Sequence, residues 1–239
     1  MHPRSISPAG GTEQPIYDAI FEAVLDQRLA PGTRLTEALL SELFAVSRTI
    51  VRIALLRLAH DRIVQRKPNH GASVARPTPD ETRAVFDARR MLEGAAIPRM
   101  IERAGTRQVG ELRRLVHREE QAFHAGDIRG WMRLSGEFHR CLLRLTGNPV
   151  IVRFGDDLVT QSLLMTALYL APGQTTCAAG EHAALIDAIA AGDERRATRL
   201  MHAHLTACEA RLALDRVAVG APDLASALRF RPHRALALS

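Results

Sequence analysis

The sequence predicts a mainly α-helical chain in two parts, an N-terminal winged helix-turn-helix and a C-terminal antiparallel six-helix bundle. Three observations carry that prediction. Short amphipathic stripes around a serine-capped turn are followed by two β-prone segments. A capping box with proline at the first helical position, residues 78–81, opens a long run without further β pattern. Glycine-centred breaks then divide that run into six helical stretches.

In the first part, residues 16–29 place Ile16, Ile20, Ala23, Val24 and Leu25 on one stripe, and Pro31 with Gly32 is expected to end the helix. Thr36 can cap a short second helix carrying Leu39, Leu40 and Leu43. Ala45 and Val46 then form a turn, and Ser47 offers an N-cap oxygen to a third helix reaching about His60. With Ile50, Val51, Ala54, Leu55 and Leu58 turned inward, Arg48, Thr49 and Arg52 are left to point outward near its start. Residues 63–64 and 72–74 read as strands separated by Lys67, Pro68, Asn69, His70 and Gly71, a sequence suited to a tight turn, so a two-stranded wing is expected.

In the second part, breaks fall at residues 105–106, 126–127, 147–149, 172–173 and 192–193. Several put glycine just past one helix and Asp, Asn or Thr at the next cap, as in antiparallel neighbours joined by short loops. The expected division is a disordered N-terminus at 1–14, a winged helix-turn-helix domain at 15–75, a linker at 76–79, a helical domain at 80–217 and a tail at 218–239, rich in Ala, Arg and Pro and left without assigned order.

Charge narrows the function. Residues 44–78 hold seven basic side chains (Arg48, Arg52, Arg57, Arg62, Arg66, Lys67 and Arg76) and one acid, Asp61. The net +6 of the whole chain therefore lies in this segment, the footprint expected of a surface that contacts phosphates. Cys141, Cys177 and Cys208 are too few and too scattered for a disulfide framework or a zinc ribbon. Cys141 and Cys208 fall on apolar helical faces and read as small core residues; Cys177, in a loop-like stretch, is left undecided. Without a signal peptide or a long apolar run, a cytoplasmic protein making no membrane contact is expected.

Residues 35–74 resemble the GntR family of winged-helix regulators, most tellingly in Val46-Ser47-Arg48-Thr49, Val51-Arg52, Ala54-Leu55, Leu58 and Asn69-His70-Gly71. Ile50, Ile53 and the pair Asp61-Arg62 depart from the usual proline, glutamate and acid-glycine pair. Position by position, the resemblance implies that Arg48 and Arg52 meet base edges or nearby phosphates, Ser47 and Thr49 meet phosphate oxygens, and His70 with Gly71 makes the wing contact. An arginine fork fits guanine O6 and N7, and a recognition helix presents its N-terminal residues in the major groove. Helix-turn-helix proteins usually pair to read successive major grooves, so operator DNA and a homodimer are the expected partners.

Residues 80–215 resemble the FCD effector domain of the FadR branch of that family. The motifs are Arg89-Arg90-Met91-Leu92-Glu93, then Glu137-Phe138-His139-Arg140 with Gly147-Asn148-Pro149, and then Glu181-His182 through Asp187 to Met201 and His204-Leu205. The resemblance implies a divalent transition metal such as zinc or nickel on His139, His182 and His204, holding a small carboxylate effector. It also implies a repressor that leaves DNA when the effector binds. The aspartate expected one helical turn before His139 is Ser135 here, a poor zinc ligand. A histidine-only site would keep the metal's full charge and an extra open position for an anion, or would fall empty as affinity drops. Arg89, one turn before Glu93, reads either as the partner of an effector carboxylate or as a structural ion pair with Glu93. The rival reading is a metal-dependent hydrolase or hydratase using the three histidines, which leaves the basic winged helix unexplained.

Overall fold

The computed structural model describes residues 12–67, 71–170, 180–214 and 224–228. The chain divides into two compact units, residues 1–76 with 218–239, and residues 77–217.

The first unit begins with α1 (Gln14–Leu25), which buries Ile16, Ala19, Ile20, Ala23, Val24 and Leu25. It ends before Pro31 and Gly32 are reached, because Gln27 adopts a left-handed φ of 56° and the amide of Arg28 turns back to the carbonyl of Ala23. Next come β1 (Arg34–Leu35) and α2 (Glu37–Leu43), with Thr36 at the N-cap but making no side-chain capping bond. Leu40 is the buried residue of α2, whereas Leu43 is 41% exposed. A tight turn through Ala45, at φ 51°, leads into α3 (Arg48–His60), where the Ser47 hydroxyl accepts from the amide of Ile50.

Val51, Ala54, Leu55 and Leu58 seat α3 in the core and Ile50 is half-buried, while Arg48, Thr49 and Arg52 are exposed. Tyr17 ties α1 to the end of α3: its hydroxyl donates to Asp61 at 2.6 Å and the Arg57 guanidinium lies 4.9 Å above its ring.

Strands β2 (Val64–Lys67) and β3 (Gly71–Val74) pair antiparallel, Val64 opposite Val74 and Lys67 opposite Gly71. The wing is three-stranded rather than two-stranded, because β1 adds to the other edge of β3 with Arg34 opposite Ser73. Two residues are too short to show a period in sequence. The stretch left without assigned order contains a short helix, α10 (Leu224–Ala227); Leu224, Ala227 and Leu228 are buried, and the Arg28 guanidinium donates to the Ala227 carbonyl.

In the second unit the six described helices are α4 (Pro79–Arg103), α5 (Thr106–His124), α6 (Ile128–Leu145), α7 (Pro149–Tyr169), α8 (Glu181–Ala190) and α9 (Glu194–Ala210). Local chemistry sets their starts. Thr78 and Glu81 form the reciprocal capping box, and Asp127, Asn148 and Asp193 accept from amides of the turns they open. Helix α4 packs on α9, α7 and α6, α5 packs on α6 and α8, and α8 packs on α9. The core between them is built from Phe86, Ile97, Met100, Phe138, Leu142 and Leu205, each no more than 1% exposed. Among the described residues no helix is long and apolar enough to cross a membrane.

Candidate functional site

Helices α6, α8 and α9 bring His139, His182 and His204 together in the interior of the second unit, each no more than 5% exposed. Nε2 of His204 lies 3.1 Å from Nε2 of His139 and 3.2 Å from Nε2 of His182. The outward nitrogens meet three carboxylates: Nδ1 of His139 lies 2.6 Å from Glu93 on α4, that of His182 2.7 Å from Glu119 on α5, and that of His204 2.8 Å from Glu181 on α8.

A carboxylate accepts, so each ring proton sits on Nδ1 and each Nε2 turns a lone pair toward the other two. Burial pushes His139 down to about 4, reinforced by Arg89 and partly offset by Glu93. Burial likewise pushes His204 down to about 3, with the neighbouring rings adding to the effect and Glu181 opposing it. Burial raises the Glu93 carboxyl, yet Arg89 and His139 overcome it and hold the group well below the ordinary carboxylate range. His139 and His204 are therefore neutral donors near pH 7, the form that binds a transition metal. Nitrogens about 2.0–2.1 Å from a tetrahedral ion stand roughly 3.3 Å apart, close to the two spacings here. The donor set thus fits a divalent cation.

The acidic partners are what the sequence did not reveal. Glu119 lies twenty residues before His139 on another helix, and Glu181 adjoins His182 yet supports His204. Only Glu-His adjacency at 181–182 could have hinted at either. His202, two residues from His204, is exposed and lies against Gly94, outside the cluster.

A cavity of about 20 Å³ borders two of the histidines, with Arg89, Ser135, His139, Ser162 and His204 on its polar side and Trp131 among its apolar lining. Arg89 forms the ion pair with Glu93 at 2.7 Å and donates through Nη1 to Ser162 at 2.8 Å, while its buried Nη2 has no partner among the described residues. The ion pair does not use the whole guanidinium, so one donor remains for a ligand. Ser135 lines the cavity one turn before His139. Cys208 is 7% exposed, with Sγ 3.6 Å from Nε2 of His204. Cys141, expected in the core, is instead only half-buried, since its sulfur sits at the edge of α6 beside Glu137 and Arg144. Cys177 lies outside the described residues.

On the first unit, Ser47, Arg48, Thr49, Arg52 and Gly71 are all exposed, while His70 lies outside the described residues. Arg52 forks onto Glu37 of α2, with Nε 3.1 Å and Nη2 2.8 Å from its two carboxylate oxygens. Arg57, counted in the basic segment, is turned away to Glu13, Gln14 and Tyr17. Arg66, counted in the basic segment, and Arg34, which the sequence did not single out, line a groove of about 320 Å³ together with Glu37 and Gly71.

Residues 84–207 match the FCD domain, and residues 12–74 match the bacterial regulatory proteins of the gntR family. Over 196 residues the chain is 30% identical to an HTH-type transcriptional regulator from an unstable DNA locus of Streptomyces ambofaciens, covering 80% of this chain and 81% of that one. It is 26% identical over 140 residues to the HTH-type transcriptional repressor RspR of Escherichia coli K12, a match spanning 59% of this chain and 61% of that protein. Among solved structures, E. coli McbR/YncC superposes with a TM-score of 0.69 at 21% identity, over 83% of this chain and 94% of the other. The transcriptional regulator GntR from Rhodococcus sp. RHA1 gives the same TM-score at 22% identity, over 84% and 97%.

Proposed function

The chain belongs to the GntR family of bacterial transcriptional regulators with an FCD effector-binding domain, and we propose that it is a cytoplasmic, homodimeric repressor that a small organic acid releases from its operator. The family is one of DNA-binding regulators rather than enzymes, and neither the family nor the relatives support the hydrolase reading.

The observation that carries the effector assignment is the unpartnered, buried Nη2 of Arg89 at a cavity walled by His139 and His204. His139, His182 and His204 would hold a divalent transition metal, and the supporting glutamates fix each ring so that Nε2 donates. A bound ion would supply positive charge and open positions for an anionic oxygen. Ser135 brings no charge of its own, so a carboxylate ligand meets less competition there than it would beside an aspartate. Arg89 then pairs with that carboxylate through its remaining donor.

On the DNA side Arg48 and Arg52 read bases or adjoining phosphates, Ser47 and Thr49 hold phosphate oxygens, and His70 with Gly71 contacts the adjoining groove. Effector binding shifts an equilibrium between arrangements of the dimer that differ in operator affinity.

The test is metal content per chain by elemental analysis, followed by operator affinity of the metal-loaded protein with and without small carboxylates. Near-stoichiometric metal that His139→Ala abolishes, with DNA affinity falling as a carboxylate is added, is the expected result. Operator affinity indifferent to every carboxylate tried would refute the release mechanism.

A further inference from the structure

Arg52 and Glu37 present a relationship that DNA contact by Arg52 alone does not explain. The two side chains form a parallel double hydrogen bond between the first residue of α2 and the fifth residue of α3. The pair stands in water, with 55% of the Arg52 side chain and 31% of the Glu37 side chain exposed. Such pairs contribute little to stability, because solvent screens them and two long side chains lose rotamer freedom. Its consequence is orientation. The Glu37 carboxylate also lies in the field of Arg48 and Arg66, which with Arg52 hold it below its ordinary range.

A guanidinium has five N–H groups, and Glu37 engages Nε and Nη2. The opposite edge, with one hydrogen on Nη1 parallel to one on Nη2, meets no partner among the described residues. That edge presents two parallel N–H donors, as the O6 and N7 acceptors of guanine require.

We propose that Glu37 is a specificity-determining positioning residue: it clamps the Arg52 guanidinium by one edge so that the other is held ready to read a guanine in the major groove. This rests on the reading that Arg52 contacts a base. Glu37 is also a negative charge on a face that approaches phosphates, so it weakens binding to any sequence by repulsion. Together these effects give opposite signs for specific and random DNA. Removing the carboxylate raises affinity for arbitrary duplex and lowers discrimination.

The experiment uses the full-length protein to select duplexes from a pool with a randomised core. Affinities of wild type, Glu37→Gln, Arg52→Ala and the double variant are then measured at one salt concentration. The probes are the selected duplex, its single-base variants and a scrambled duplex. The expected result is that Glu37→Gln binds scrambled duplex more tightly than wild type does, while its preference for one guanine falls about tenfold. The same position should flatten in Arg52→Ala, and the double variant should lose no more preference than Arg52→Ala alone. If Glu37→Gln tightens binding to every duplex equally while Arg52→Ala still flattens one position, Glu37 acts only as a charge and the clamp is refuted. If Arg52→Ala flattens no position, base reading by Arg52 fails and the clamp fails with it.

Discussion

Nδ1 of His139 lies 2.6 Å from Oε2 of Glu93, while the other oxygen of the same carboxylate accepts from Nε of Arg89 at 2.7 Å. One buried carboxylate thus fixes the tautomer of a ring in the histidine cluster and neutralises the arginine that faces the cavity. Side chains from all six helices meet in this network: Arg89 and Glu93 on α4, Glu119 on α5, His139 on α6, Ser162 on α7, Glu181 and His182 on α8, and His204 on α9.

Glu93→Gln removes that neutralisation and leaves the Arg89 charge buried, with 6% of its side chain exposed. Breaking a buried pair from one side costs about 3–5 kcal/mol. A denaturant midpoint lowered accordingly is expected. An unchanged midpoint would mean that Arg89 finds another counter-charge.

Glu119→Gln acts more locally, since Glu119 supports His182 through a single contact at 2.7 Å. Loss of such a supporting carboxylate typically lowers metal affinity by about 10–100-fold. Chelator competition on the loaded protein measures it, and equal retention in wild type and variant would argue against metal on His182.

Ser135→Asp restores a carboxylate beside His139 at the rim of the cavity. Tighter metal retention is expected, together with a weaker response of DNA binding to added carboxylates, because the new side chain takes the position an anionic effector would use. A response to carboxylates as strong as that of wild type would place the effector elsewhere.

The metal-free protein should lose stability in acid from well above the usual carboxylate range. An ordinary histidine titrates near 6.5, whereas in the fold burial holds His139 down at about 4 and His204 at about 3. Between these limits the unfolded chain binds protons that the folded chain does not. The stabilisation is therefore complete above pH 6.5 and declines as pH falls toward 4 and then 3. Each ring contributes a slope of up to about 1.4 kcal/mol per pH unit. Urea midpoints that stay level between pH 7 and pH 5 would contradict these shifts.

Tyr17→Phe deletes the hydroxyl that donates to Asp61 at 2.6 Å and keeps the ring beneath Arg57. Because the acceptor is charged, a loss of about 1.5–3 kcal/mol from the winged-helix unit is expected. Thermal unfolding followed on the full chain reads it, and no shift would show that water replaces the hydroxyl.

Local chemistry lets the sequence determine most of the secondary structure. The Ser47 cap, the box formed by Thr78 and Glu81, and the capping side chains of Asp127, Asn148 and Asp193 act on amides within three residues, so their spacing is visible in the chain itself. The outward set of Arg48, Thr49 and Arg52 follows from helical period alone. What depends on contact across long separations was not legible. Strand β1 is defined only by its pairing with β3, and Arg57 is drawn from the basic segment by Glu13 and Tyr17. The site divides the same way. Three histidines could be named from the family resemblance, but Glu119 reaches His182 across 63 positions and Glu93 reaches His139 across 46. Such pairings are chosen by helix packing, which sets distance and burial together. Those two quantities decide whether a carboxylate fixes a neutral imidazole or merely solvates a surface.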